Sequence, residues 1–150
     1  MFDHFHKIWK ALYSKNNITK DEYERATIVQ YCRTMEEFCA PFADLNSEVS
    51  REGLVLKSSF SKLTKCPYEA TFLNAGGKMS SMEYAQSFIP TMRSWSETVF
   101  KTALKGRDSS EINSIVDSFY QSYTEEVAEG TEGHAMDYVH IILDIEKSIA

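Results

Sequence analysis

Tyr138-Val139-His140-Ile141-Ile142-Leu143-Asp144-Ile145 reads as a β-strand apolar on both faces, the pattern of a strand covered on both sides. A second strand is expected at Leu54-Val55-Leu56-Lys57-Ser58-Ser59-Phe60, which follows Gly53 and is rich in residues that favour extended backbone. Two strands do not make an independently stable sheet. Their open edges also invite further pairing. The pair therefore predicts membership of a larger sheet, whose other strands are on another chain or absent from this one.

Around these strands the pattern is helical. Four sites carry a capping box, in which a short oxygen-bearing side chain and a Glu three residues on satisfy two backbone donors reciprocally. They are Thr19…Glu22, Thr34…Glu37, Ser80…Glu83 and Asp108…Glu111. After Asp108, Ile112, Ile115, Val116, Phe119, Tyr120, Tyr123 and Val127 recur at three- and four-residue steps and line one face. Gly130 stands where a left-handed C-cap is wanted. A helix is expected over 81–104, with Met92, Trp95, Val99, Ala103 and Leu104 on a stripe and a kink or split at Pro90. Another runs over 35–52, broken near Pro41, and an opening helix over 3–14 buries Phe5, Ile8, Trp9 and Leu12. The stretch 67–80, with Gly76-Gly77, reads as a long loop. The whole is expected to be one domain, a helical cap over 1–52 followed by strand, helices and final strand over 53–150.

A chain of 150 residues with 43% hydrophobic and 13% aromatic content is long and apolar enough for a packed core. A net charge of −6 without a Lys/Arg stripe argues against nucleic acid as partner. The apolar runs are too short to span a membrane, and Met1-Phe2-Asp3-His4 lacks the order of a signal peptide. Cys32, Cys39 and Cys66 include no Cys-x-x-Cys pair and read as reduced thiols. These features predict a cytoplasmic protein.

Signals for chemistry are weak. His4 and His6 are two apart and diverge on a helix, while His134 and His140 have no ligand at metal spacing. Gly76-Gly77-Lys78 is not a phosphate loop, since Thr71 and Met79 occupy the positions that need a glycine and a hydroxyl. No Gly-x-Gly-x-x-Gly and no Gly-x-Ser-x-Gly is present. Trp9, Tyr31, Met92, Trp95 and Tyr138 read as core residues, although flat rings and thioethers also line pockets for aromatic or acyl ligands.

The order of segments resembles the C-terminal half of the salicylic acid, benzoic acid and theobromine type of S-adenosylmethionine-dependent methyltransferase. The likeness is carried by Ile18-Thr19-Lys20-Asp21-Glu22-Tyr23, Tyr31-Cys32-Arg33-Thr34-Met35-Glu36-Glu37 and Gly53-Leu54-Val55-Leu56. It continues through Met92-Arg93-Ser94-Trp95-Ser96-Glu97, Asp117-Ser118-Phe119-Tyr120-Gln121-Ser122-Tyr123 and a hydrophobic strand ending near Glu146-Lys147.

The resemblance implies a helix-rich α/β fold. It would be the C-terminal part of a class I methyltransferase-like fold, with about five helices, two final antiparallel strands and no cofactor-binding N-terminal half. It implies S-adenosylmethionine as cofactor and a small carboxylate or ring nitrogen as acceptor. Tyr31, Met92 and Tyr138 fall on the family's pocket positions, with Trp9 and Trp95 beside them. Arg33 departs from the small residue or proline usual in the family. The implied partners are a small-molecule acceptor and a cofactor-binding half on another chain. The competing expectation is a non-catalytic module that forms a homodimer through its open strand edge or binds a small ligand.

Overall fold

The computed structural model describes residues 2–28 and 31–148. In chain order the elements are α1 (Phe2–Ser14), α2 (Lys20–Arg25), α3 (Met35–Ala43), α4 (Glu48–Arg51), β1 (Leu54–Thr64), α5 (Pro67–Asn74), α6 (Ser81–Ala103), α7 (Ser109–Glu129) and β2 (Tyr138–Lys147). Among the described residues the fold is thus helix-rich α/β, with seven helices and one two-stranded antiparallel sheet. The chain groups into two compact units, which cut across the 1–52 and 53–150 portions read from sequence. The first comprises Met1–Val29 and Cys66–Met136, the second Gln30–Lys65 and Asp137–Ala150.

The first unit is helical. The short link from Leu104 to Asp108 turns α7 back along α6, and the Arg93–Asp117 ion pair at 2.6 Å ties their flanks. The turn needs Gly106, whose φ of +115° lies in the region that side-chain-bearing residues avoid. α1 docks on the pair through Phe5, Ile8, Trp9 and Leu12. Phe88, Met92, Phe100, Val116 and Phe119 complete a core almost wholly excluded from solvent.

Three of the four capping boxes close as expected, at Thr19/Glu22, Thr34/Glu37 and Ser80/Glu83. The fourth does not. Asp108 precedes α7 without a side-chain cap bond, and the Glu111 carboxylate is engaged by Arg107 instead. Gly130 is not left-handed either; its φ of −160° is ordinary extended backbone.

Residues 67–74 form α5 rather than a loop. Proline is well placed in a first turn, where its missing N–H has no partner to lose. The loop is confined to the stretch that follows, where Gly76 and Gly77 have positive φ. α6 runs unbroken through Pro90. A mid-helix proline costs roughly 3 kcal/mol, and burial of Tyr84, Phe88, Ile89, Met92 and Phe100 along the same helix offsets it. Pro41 also lies inside a helix, but α3 ends two residues later, where Asp44 N–H bonds the Ala40 carbonyl.

The second unit holds the sheet. β1 and β2 pair from Leu54↔Lys147 to Thr64↔Tyr138, with an irregularity between Leu56 and Ser58. α3 and α4 pack against β1. Gly53, at φ +74°, makes the turn from α4 into β1, and its carbonyl accepts from Ser148 N–H at 2.7 Å. An added Cβ there would meet the Ser148 carbonyl at 3.2 Å.

Cross-strand partners share a face. One face carries Val139, Ile141, Leu143 and Ile145 with Leu56 and Leu63. The other mixes Tyr138, Ile142 and Phe60 with His140, Asp144 and Lys62. β2 is therefore apolar on one face, not both; the alternation is hidden in sequence because Tyr138 and Ile142 interrupt the polar side. Cover on both sides is likewise not found in this unit. Val139 is 70% exposed, and Leu63 and Phe60 are about half exposed. No helix among the described residues is long and apolar enough to cross a membrane.

Candidate functional site

Residues Phe2, Phe5, His6 and Trp9 recur along one face of α1, spaced as a helix requires. Opposite them lie Tyr23 and Glu24 of α2 and the extended residues after it, with Phe100 of α6 also in the lining. Together they enclose a cavity of about 380 Å³. That is within the size range of small-molecule sites.

Several contacts fix its walls. The Trp9 indole N–H donates to the Tyr23 carbonyl at 3.3 Å, and the ring sits 4.9 Å from Phe100. The Tyr23 hydroxyl and His6 Nε2 are 3.3 Å apart, and Tyr13 stacks on Tyr23 at 5.2 Å. α2 is itself held by the Glu22–Arg107 pair. Arg107 Nε donates to Glu22 Oε1 at 2.6 Å and Nη2 to Oε2 at 2.7 Å. Arg107 Nη2 also reaches the Asn17 carbonyl at 3.1 Å. The guanidinium hydrogen bonds lower the Glu22 pKa to about 2.

A second cluster surrounds His134, which is buried. Its ring lies 4.2 Å from that of His4, and its Nδ1 is 3.3 Å from the Tyr123 hydroxyl. Tyr84 donates its hydroxyl to the His134 carbonyl at 2.8 Å. His4 Nδ1 and Lys7 Nζ both meet Glu126 Oε1, at 2.7 and 2.8 Å. Burial, with the neighbouring His4, pushes the His134 pKa below its ordinary value. The cluster therefore favours a neutral imidazole packed into the helical core. Among the described residues no group of His, Cys, Asp and Glu is arranged to hold a metal ion.

The five residues singled out from sequence are divided between the units. Trp9 lines the cavity, and Trp95 stands behind it, 6.1 Å from Phe2 and 6.0 Å from Phe5. The Trp95 Nε1 is buried without a hydrogen-bond partner among the described residues. Met92 is fully buried core and is not part of the cavity lining. Tyr31 and Tyr138 belong to the second unit and are largely exposed, at 72% and 47%. Tyr31 donates its hydroxyl to Glu37, the acid of the α3 capping box. Phe2, His6, Tyr23 and Glu24 were not anticipated. The 2-5-6-9 spacing on α1 was the available signal, and it reads equally well as core.

S-adenosylmethionine, implied by the resemblance, does not fit the residues described. Such a cofactor is held by a glycine-bearing loop beyond the carboxyl ends of parallel strands. The sheet here is a single antiparallel pair, and the positive-φ glycines, at 53, 76, 77, 106 and 133, close no parallel strand. Compared with models of protein families and with curated proteins, the chain matches none.

Proposed function

We propose that the chain is the acceptor-binding portion of an S-adenosylmethionine-dependent methyltransferase of the salicylic acid, benzoic acid and theobromine type. In this reading the cofactor-holding sheet is supplied from outside these 150 residues. The observation that carries it is the β1–β2 pair. Eleven and ten residues long, it leaves Val139, Leu63 and Ile145 exposed on one face and lacks a neighbouring strand among the described residues. α3 and α4 pack against β1, but the exposed apolar face and open edges leave room for further strands. The helical unit contributes the aromatic cavity beside Trp9. Methyl transfer depends mainly on holding donor and acceptor in line, so neither half turns over alone.

Calorimetric titration with S-adenosylhomocysteine tests the division of labour. The folded chain is expected to give no saturable heat. Micromolar binding would place a cofactor site on this chain and overturn the half-enzyme account. The competing reading, a non-catalytic homodimer that pairs its open edge, predicts a stable dimer in sedimentation velocity at micromolar concentration. The half-enzyme reading predicts a monomer that elongates its sheet only with a cofactor half.

A further inference from the structure

The cavity between α1 and α2 is chemically lopsided. Phe2, Trp9, Tyr23 and Phe100 give it aromatic walls, and among the described residues that line it Glu24 is the carboxylate and none is Lys or Arg. A carboxylate entering it would shed water against aromatic rings and meet no Lys or Arg among the described lining residues. Its closest ionic neighbour would be a like charge. A cation meets the opposite situation, since ring faces carry negative quadrupole and attract ammonium groups. The volume of about 380 Å³ holds one or two rings with a short side arm.

We propose that this cavity binds a protonated arylalkylamine, its ring seated against Trp9 and Phe100 and its ammonium at Glu24. Glu24 has a partner already, Lys20, but at 3.6 Å and with both side chains more than half exposed. Such a pair is worth little, and a bound ammonium displaces it. His6, held by the Tyr23 hydroxyl, gives the rim a further polar contact for the arm. Binding here does not require methyl transfer. Where the reading above also holds, an acceptor seated at Trp9 is an amine and not a small carboxylate, and that clause alone rests on the methyltransferase proposal.

Three size-matched probes separate the terms: 2-phenylethylamine, 3-phenylpropionate and 2-phenylethanol, each titrated into the chain at pH 7.5. Tryptophan fluorescence gives affinity, and amide and indole N–H shifts in NMR give location. The amine is expected to saturate about tenfold more tightly than the carboxylate, with shifts centred on His6, Trp9 and Glu24. Glu24→Gln, a surface change that leaves the core intact, is expected to erase the preference while leaving 2-phenylethanol binding within about twofold. Equal or tighter binding of 3-phenylpropionate overturns the proposal. So does an unchanged preference in Glu24→Gln, and so does the absence of any shift at the cavity. None of these outcomes bears on S-adenosylhomocysteine, so the two proposals fail separately.

Discussion

Phe5→Ala is expected to lower the unfolding free energy by about 3–5 kcal/mol, the range for emptying a buried phenylalanine site. Phe5 is 2% exposed and is the point where α1 enters the helical unit. Its ring meets Tyr123 at 5.0 Å, Phe119 at 5.5 Å and Phe100 at 5.9 Å, all edge-on. These are the geometries in which the positive rim of one ring faces the negative face of another, adding to the burial term. α1 has thirteen residues, too few to persist as an isolated helix, so its order depends on this docking. Urea unfolding followed by circular dichroism reads the effect as a fall in midpoint. A loss under about 1 kcal/mol would mean that α1 is not seated on α6 and α7 as described.

Arg107→Ala is expected to cost about 3 kcal/mol and to change how stability responds to acid. The Glu22 carboxylate is 6% exposed and receives both the Arg107 fork and the Thr19 backbone N–H at 2.7 Å. Removing the guanidinium leaves a charge with little access to water and only its cap bonds. In the intact chain the Glu22 pKa lies at about 2, depressed from 4.5, chiefly by the Arg107 hydrogen bond. A carboxyl depressed in the folded state stabilises above its unfolded pKa. That contribution, about 3 kcal/mol here, is lost as pH falls from roughly 4.5 toward 2. The intact chain should therefore lose urea resistance through that window. The variant, weaker at pH 7, should show a shallower acid slope, because its Glu22 keeps only the Thr19 bonds and gains less from ionising. Parallel acid profiles for the two chains would remove Glu22–Arg107 from the account.

Where sequence reading succeeded, the signal was local and redundant. Thr19, Thr34 and Ser80 each supply both the cap atom and the glutamate that answers it, and all three boxes form. Asp108…Glu111 carries the same spacing, but the neighbouring Arg107 decides its fate: one guanidinium engages Glu111 four residues on and Glu22, 85 residues away in sequence. Arg107 stands one position before the box, just outside the four residues that define it. α5 was missed because Pro67 and Gly76-Gly77 dominate the local reading, although proline suits a first turn. The split allowed for at Pro90 does not occur, since the burial that keeps α6 continuous through it is a property of the folded core.

The two strands were placed correctly and their pairing was expected, but the faces of β2 were not resolved. Period-two alternation alone puts Tyr138, His140, Ile142 and Asp144 on one side, and the register with β1 adds Phe60 and Lys62 to it. The cavity was legible only in part. Trp9 was named, whereas Glu24, which sets its charge, was not.

The innermost rung of the ladder, Thr64 against Tyr138, spans the whole of α5, α6 and α7. The helical contacts of those elements are near neighbours along the chain and carry little closure entropy, whereas the strands must wait for a long loop to close. Folding should therefore proceed in an order: helices α6 and α7 first, the ribbon last. Once the intervening helices are in place, the ends of that loop are already drawn together, and the late step becomes short-range. A nascent chain released before residue 138 has been made would carry an unpartnered β1, with Val55, Phe60 and Leu63 available to any passing strand.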